Sequence, residues 1–113
     1  MPTAALGLLW LVAGGAITAI GIAGMRGRLP RQHWAGIRLP STMRSDEAWN
    51  AAHRAGGPWL LAAGLVPAAC GLSLVLARPG DELAAAVSLA AAGWLLAMVV
   101  AAGVVGVRAV SRR

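Results

Sequence analysis

The sequence predicts an all-α integral membrane protein, a three-helix bundle with one short interfacial helix in its cytoplasmic loop. Three observations support this fold class. Hydrophobic residues make up 58% of the 113 residues and charged residues only 12%, about half the usual share. Three uncharged stretches are each long enough to cross a bilayer. The basic residues lie almost entirely in the segments that flank these stretches, as they do in membrane proteins.

The three uncharged stretches are the predicted transmembrane helices, and we take residues 1–113 as a single domain. The stretches cover residues 4–25, 59–77 and 83–107. At about 1.5 Å per residue they reach roughly 33, 28 and 37 Å, against a hydrocarbon core of roughly 30 Å. No basic segment precedes the first stretch and no convincing cleavage site follows it, so we interpret it as a retained span.

The arginines predict how the chain is oriented in the cell membrane. Of the basic residues that give the net charge of +6, only Arg78 lies in the short connection between the second and third stretches, beside Asp81 and Glu82. By the positive-inside rule, the N-terminus is outside while the long loop and the C-terminus are cytoplasmic. Because the charge follows membrane boundaries, we do not expect nucleic-acid binding. The cytoplasmic arginines are Arg26, Arg28, Arg31, Arg38, Arg44, Arg54, Arg108, Arg112 and Arg113.

Glycines predict where the first helix packs. Gly7, Gly14 and Gly21 recur every seven residues and therefore share one face of that helix. In a membrane, small residues allow two helix backbones to approach closely. The sequence therefore predicts that another helix contacts this face.

The long loop, residues 26–58, is predicted to have two parts. Prolines and glycines oppose a continuous helix over residues 26–44, so we expect an extended strap along the membrane surface. Trp34 and Ile37 of this strap are expected to dip toward the headgroups.

The second part of the loop is predicted to be a short helix, residues 46–56. Ser45 is placed as its N-cap, and Asp46 and Glu47 follow in the first turn, where the helix dipole favours anions. The run Gly56-Gly57-Pro58 is expected to end the helix.

A polar stripe on this helix allows two interpretations. Asp46, Asn50 and His53 lie at i, i+4 and i+7, and Trp49 lies on the opposite face. In the first interpretation the stripe is solvated and Trp49 anchors the helix in lipid. In the second, His53, Asp46 and Arg38 converge on a polar pocket that holds a ligand or partner.

We expect neither a metal, a cofactor nor an enzymatic activity. A metal needs three or four ligands, and the stripe offers His53 and Asp46, with His33 far off in sequence. The chain contains no HExxH or GxSxG motif and no paired carboxylates inside a span.

The segment 34–54 resembles the signature loop of the SdpI family. In that family the pattern G-[IV]-R-T-x-x-T-[LM]-x-S-x-x-x-W-x-x-x-[HN]-[RK] joins two transmembrane helices. Two positions depart from the family pattern: Leu39 stands where threonine is common, and Gln32 where asparagine is frequent. The matching residues are Gly36, Arg38, Thr42, Ser45, Trp49, His53 and Arg54.

The resemblance implies an immunity-type membrane protein of a bacterium. Such a protein protects against a membrane-active toxin peptide, signals by capturing a cytoplasmic repressor at the membrane, or does both. Two alternatives stay open: an accessory structural subunit of a larger membrane complex, and a small transporter assembled as an oligomer. The residues expected to bind a ligand or partner are Arg38, Thr42, Ser45, Asp46, Glu47, Trp49, His53 and Arg54.

The predicted topology can be tested by thiol labelling in a variant whose single native cysteine is removed by Cys70→Ala. Cysteines introduced at Thr3 and at Asp81 should react with an impermeant reagent added to intact cells, and a cysteine at Gln32 should not. Labelling at position 32 in intact cells would contradict the predicted orientation. Lysed cells, in which all three positions should react, provide the control.

Overall fold

The computed structural model describes residues 2–32 and 35–111, and every regular element in these ranges is a helix. The elements are α1 (Thr3–Met25), α2 (Pro40–Met43), α3 (Asp46–Ala77) and α4 (Asp81–Ser111). Three of them, α1, α3 and α4, are long and apolar enough to cross a membrane. The predicted all-helical class with three long apolar helices is confirmed, and the chain is a multi-pass membrane protein by the length and composition of these helices.

The separate interfacial helix predicted over residues 46–56 is wrong, because α3 runs without a break from Asp46 to Ala77. Residues 46–58 are therefore part of a helix and not of the loop. Gly56 and Gly57 do not end α3 because both are needed for packing. A Cβ built on Gly56 would lie 2.8 Å from the Ala102 carbonyl oxygen of α4, and one on Gly57 would lie 2.9 Å from the Gly21 carbonyl oxygen of α1. Pro58 lies inside the helix.

The length of α3 takes it well past the hydrocarbon. Its 32 residues correspond to about 48 Å, whereas the hydrocarbon core is about 30 Å thick. The apolar part, residues 59–77, is sufficient to span. The N-terminal part, residues 46–58, carries the polar and charged side chains and projects beyond the hydrocarbon. Arg78, in the left-handed conformation with φ 47°, ends the helix at its other end.

Helix α3 lies in the middle of the bundle, with α1 and α4 on either side and few contacts between those two. One end of the bundle holds the start of α1 and the α3–α4 turn, since the Thr3 hydroxyl donates a hydrogen bond to the Pro79 carbonyl at 3.2 Å. The loop and the end of α4 lie at the other end. Trp10 and Trp94 tie the helices together by donating hydrogen bonds to Ser88 Oγ at 3.0 Å and to the Ala62 carbonyl at 2.9 Å.

Glycines form the contact between α1 and α3, which we call the glycine seam. Buried residues of α1 are all glycines, Gly7, Gly14, Gly21 and Gly24. The residues of α3 that face the first three are also glycines, and they too recur every seven residues. Each backbone lies so close to the other that a Cβ on either side would meet a backbone atom of its partner. The facing pairs are Gly7 with Gly71, Gly14 with Gly64, and Gly21 with Gly57.

The seam makes a prediction that two adjacent glycines of α1 can test. A Cβ on Gly14 would lie 2.5 Å from the Gly64 carbonyl oxygen, whereas one on Gly15 would meet nothing within 4 Å. Gly14→Ala should therefore lower the stability of the bundle by about 1–3 kcal/mol, as overpacking does in tight cores. Gly15→Ala should cause no loss, because its Cβ has open space. The gain in helix propensity on replacing glycine by alanine is the same at both positions, so it does not affect the comparison. Thermal unfolding in detergent measures both variants, and equal stabilities would contradict a backbone-to-backbone seam.

Candidate functional site

The candidate site is the loop between α1 and α3, folded against the N-terminal part of α3. His53 of α3 is its centre. The Ile37 backbone N–H donates a hydrogen bond to His53 Nε2 at 2.8 Å, and His53 Nδ1 lies 2.8 Å from the Trp49 carbonyl oxygen. Since Nε2 accepts, the proton belongs on Nδ1, which donates to Trp49. His53 is thus held as one neutral tautomer by two backbone groups.

Two glycines make room for the His53 ring. Gly36 has φ +95°, and a Cβ on it would lie 2.5 Å from His53 Nε2. Gly24, at the C-terminal end of α1, faces the His53 Cβ, from which an added Cβ would lie 2.9 Å away. Only glycine combines the left-handed backbone at position 36 with this close approach. The ring is 1% exposed.

Trp49 connects the first part of the loop to α3. Its indole Nε1 donates a hydrogen bond to the Leu29 carbonyl at 2.8 Å. Its ring also stacks on His53, with ring centroids 4.1 Å apart and an interplanar angle of 32°. Trp49 is 1% exposed, so the expectation that it anchors a helix in lipid is wrong. It is an internal packing residue whose polar N–H has a partner, as buried tryptophans normally require.

Thr42 and Ser45 shape the second part of the loop. The Thr42 hydroxyl donates to the Ile37 carbonyl at 2.6 Å and accepts from the Leu39 N–H at 3.0 Å. It is fully buried. Ser45 Oγ accepts a hydrogen bond from the Ala48 N–H at 3.0 Å and caps α3, as the sequence predicted.

Ile37 packs inside the bundle and not against headgroups. It belongs to a cluster with Leu60 and Ala102, and its Cδ1 lies against Gly56 and Gly106. The strap therefore inserts this side chain between α3 and α4. Trp34, which was expected to dip toward the headgroups, lies outside the described residues, as do His33, Arg112 and Arg113.

The predicted convergence of His53, Asp46 and Arg38 does not occur in the structure. Asp46 Oδ1 lies 3.2 Å from Arg31 Nε, in an ion pair that is open to solvent. Asp46 and Asn50 line a polar depression of about 470 Å³ on one side of the loop. His53 is buried beneath the loop, and Arg38 lines a different groove on the α4 side. Of the predicted polar stripe, Asp46 and Asn50 therefore face a polar depression on the surface, whereas His53 lies in the core.

The remaining predicted site residues lie on the outer surface. Glu47 and Arg54 are exposed. The Arg54 guanidinium lies over Gly27, where a Cβ would come within 3.3 Å of its Nη2. Arg38 is exposed as well. Within residues 2–32 and 35–111, no group of three or more potential metal-ligating side chains is present.

The two residues that depart from the family pattern are both accommodated. Gln32 Oε1 accepts a hydrogen bond from the Ala35 N–H at 2.8 Å, and its Nε2 donates to the Pro30 carbonyl at 2.9 Å. Leu39 is 42% exposed and lines the same groove as Arg38. A threonine at position 39 would make this wall of the groove more polar, so the departure makes the groove more apolar.

Fold and site together define a small multi-pass helical membrane protein with a polar loop that is hydrogen-bonded to one of its helices. The model of the SdpI/YfhL protein family matches residues 28–111, which include α3, α4 and all of the loop except its first two residues. The chain belongs to this family. No curated protein and no solved structure gave a significant match.

The His53 network makes the loop sensitive to pH. Burial lowers the pKa of His53 below its usual value near 6.5, while the hydrogen bond to the Trp49 carbonyl opposes that shift. A proton on Nε2 would face the Ile37 N–H and remove that hydrogen bond. The contribution of neutral His53 to the stability of the folded loop is therefore fully present above pH 6.5. It is lost as the pH falls from 6.5 toward the lowered pKa.

Hydrogen exchange at the Ile37 amide tests this pH dependence. Protection relative to an unstructured peptide at the same pH should fall by about tenfold or more between pH 7.5 and 5, since breaking this buried hydrogen bond costs about 1–3 kcal/mol. In the His53→Ala variant the protection should be low at every pH. Asn50→Ala, on the same helix but outside the network, should behave like the wild type. A pH-independent protection factor in the wild type would contradict the assignment.

Proposed function

We propose that this chain is an immunity-type membrane protein that protects a bacterium from a membrane-active toxin peptide, signals by capturing a cytoplasmic repressor, or does both. The observation that carries the proposal is the family match over residues 28–111. The family relationship suggests resistance or signalling as the activity. The geometry of the loop adds that its residues fall into two sets with different roles.

The division separates residues that hold the loop from residues that face outward. The polar groups of Thr42, Trp49 and His53 form hydrogen bonds with backbone atoms of the loop and of α3. They are positioning residues. Arg38 and Glu47 are exposed on the cytoplasmic side and can contact a partner. We therefore assign recognition to the exposed set and the shape of the surface to the buried set.

His53 does not have the geometry of a catalytic base. Both of its ring nitrogens bond to backbone groups of the protein, and the ring is closed off from solvent. A general base needs a nitrogen within reach of a substrate proton. This arrangement favours binding over catalysis.

The helices bear on both alternatives. An accessory subunit could pack against a larger complex through small residues, but Gly7, Gly14 and Gly21 of α1 are not available for this because they contact α3 of the same chain. A transporter needs polar side chains along a path. Ser88 accepts a hydrogen bond from Trp10, and Ser73 donates to the Ala69 carbonyl within its own helix.

The proposal is tested by the toxin sensitivity of a deletion strain that is complemented with this chain. Wild-type chain should restore resistance, and Arg38→Lys should lose it at normal abundance. Lysine keeps the charge but cannot reproduce the planar, bidentate binding of a guanidinium to a carboxylate or phosphate. We expect at least about a tenfold loss of protection, which corresponds to about 1.4 kcal/mol of binding.

Arg44→Lys is the matched control, since Arg44 is an exposed arginine of the same loop. It should protect like the wild type. Full protection by Arg38→Lys would show that only the charge of the loop matters. Absence of rescue by the wild-type chain would overturn the proposed function itself.

A further inference from the structure

A groove opens sideways from the bundle on its α4 side, at the cytoplasmic half. Its volume is about 680 Å³. One wall is formed by residues 36–39 of the strap, and the other by the C-terminal half of α4. Leu60 of α3 lies between the two walls. The α4 wall is apolar and open, with Val99, Val100 and Val104 40%, 56% and 46% exposed. We call it the lateral groove.

The length of the lateral groove corresponds to one leaflet of a bilayer. Along α4 the groove extends from Val99 to Arg108, which is ten residues, and the nine steps between them rise about 14 Å. Half of a hydrocarbon core is about 15 Å. Arg108 follows the last apolar residue of the predicted span, so it lies at the cytoplasmic boundary. The apolar end of the groove then lies near the middle of the bilayer.

Two arginines, Arg38 of the strap and Arg108 of α4, line the groove. None of the described residues that line it is acidic. A guanidinium has five N–H donors, so each arginine can bind an anion while keeping contacts within the protein. Arginine is also the side chain best suited to phosphate. The groove is therefore apolar along α4 and carries, at Arg38 and Arg108, positive charge that attracts phosphate.

We propose that the lateral groove binds one anionic phospholipid of the cytoplasmic leaflet. An acyl chain lies along Val99, Val100 and Val104, and the phosphate contacts Arg38 and Arg108. An extended peptide fits less well, because its backbone N–H and C=O groups need partners at membrane depth, and this part of the groove presents apolar side chains. The inference is separate from the proposed function and concerns a lipid ligand of the folded protein.

Native mass spectrometry of the protein released from nanodiscs tests the proposal. The nanodiscs contain phosphatidylglycerol and phosphatidylcholine in equal amounts with matched acyl chains. The wild type should retain one phosphatidylglycerol in preference to phosphatidylcholine by about fivefold or more, the contribution expected of one arginine near the surface. Equal retention of the two lipids would overturn the proposal.

Two pairs of variants locate the lipid. The double variant Arg38→Gln with Arg108→Gln should retain both lipids equally, whereas Arg26→Gln with Arg44→Gln removes the same charge from the same face and should keep the preference. Gly103→Leu fills the groove, and Gly93→Leu adds the same side chain to α4 outside it. A Cβ meets nothing within 4 Å at either glycine, so neither change strains the backbone. Gly103→Leu should lose the bound lipid and Gly93→Leu should retain it.

The same spectra distinguish the other occupants. A preference for phosphatidylglycerol that survives both groove variants would place the lipid elsewhere and overturn the assignment. A dimer mass, or a bound peptide mass, that is lost only in Gly103→Leu would assign the groove to a second copy or to a peptide instead. The Ile37 exchange measurement serves as the control that each variant keeps its loop folded.

Discussion

The close contact of two helix backbones along the glycine seam determines where the rest of the protein lies. Because lipid supplies no hydrophobic force between helices, the association of α1 and α3 depends on packing, and packing is tightest where no Cβ intervenes. Three pairs of glycines, seven residues apart on each helix, fix the register of the two helices. Beyond the last pair, Gly24 meets His53. The seam therefore places the end of α1 beside the residue around which the loop folds.

The loop continues this ordering beyond the glycine seam by hydrogen bonds. Ile37 donates to His53, Thr42 donates back to the Ile37 carbonyl, and Trp49 donates to Leu29. Three of the seven signature residues, Thr42, Trp49 and His53, thus bind backbone groups of the loop. A buried polar group without a partner is costly, so these residues depend on one another. The loop is held as one surface, on which Arg38 has a defined place beside α4.

Sequence reasoning predicted the membrane class and the three long helices, because uncharged apolar stretches of this length are typical of transmembrane helices. It failed at Gly56-Gly57-Pro58, where a pattern typical of a helix end lies inside α3. The pattern is local, whereas the reason for the glycines is tertiary: they face backbone atoms of α1 and α4. A signal was present in the recurrence of glycine at 57, 64 and 71, which matches the recurrence of Gly7, Gly14 and Gly21 in the opposite direction.

The candidate site was predictable in membership but not in geometry. The motif identified Gly36, Thr42, Trp49 and His53, yet helical periodicity placed His53 on a wet stripe with Asp46. A helix facing two neighbours and a folded loop has no single wet side, so the period of 3.6 residues could not assign these side chains. Nor could sequence show that Gly36 adopts φ +95° to let Ile37 reach the imidazole.

The unbroken course of α3 gives the protein a mechanical property. Helix α3 joins its apolar part, residues 59–77, to an extension of about a dozen residues without a loop between the two parts. The loop between α1 and α3 is fastened to that extension at His53 and Trp49. A displacement of α3 along its own axis therefore carries this loop with it, so that the position of the helix in the membrane and the position of the loop surface are coupled.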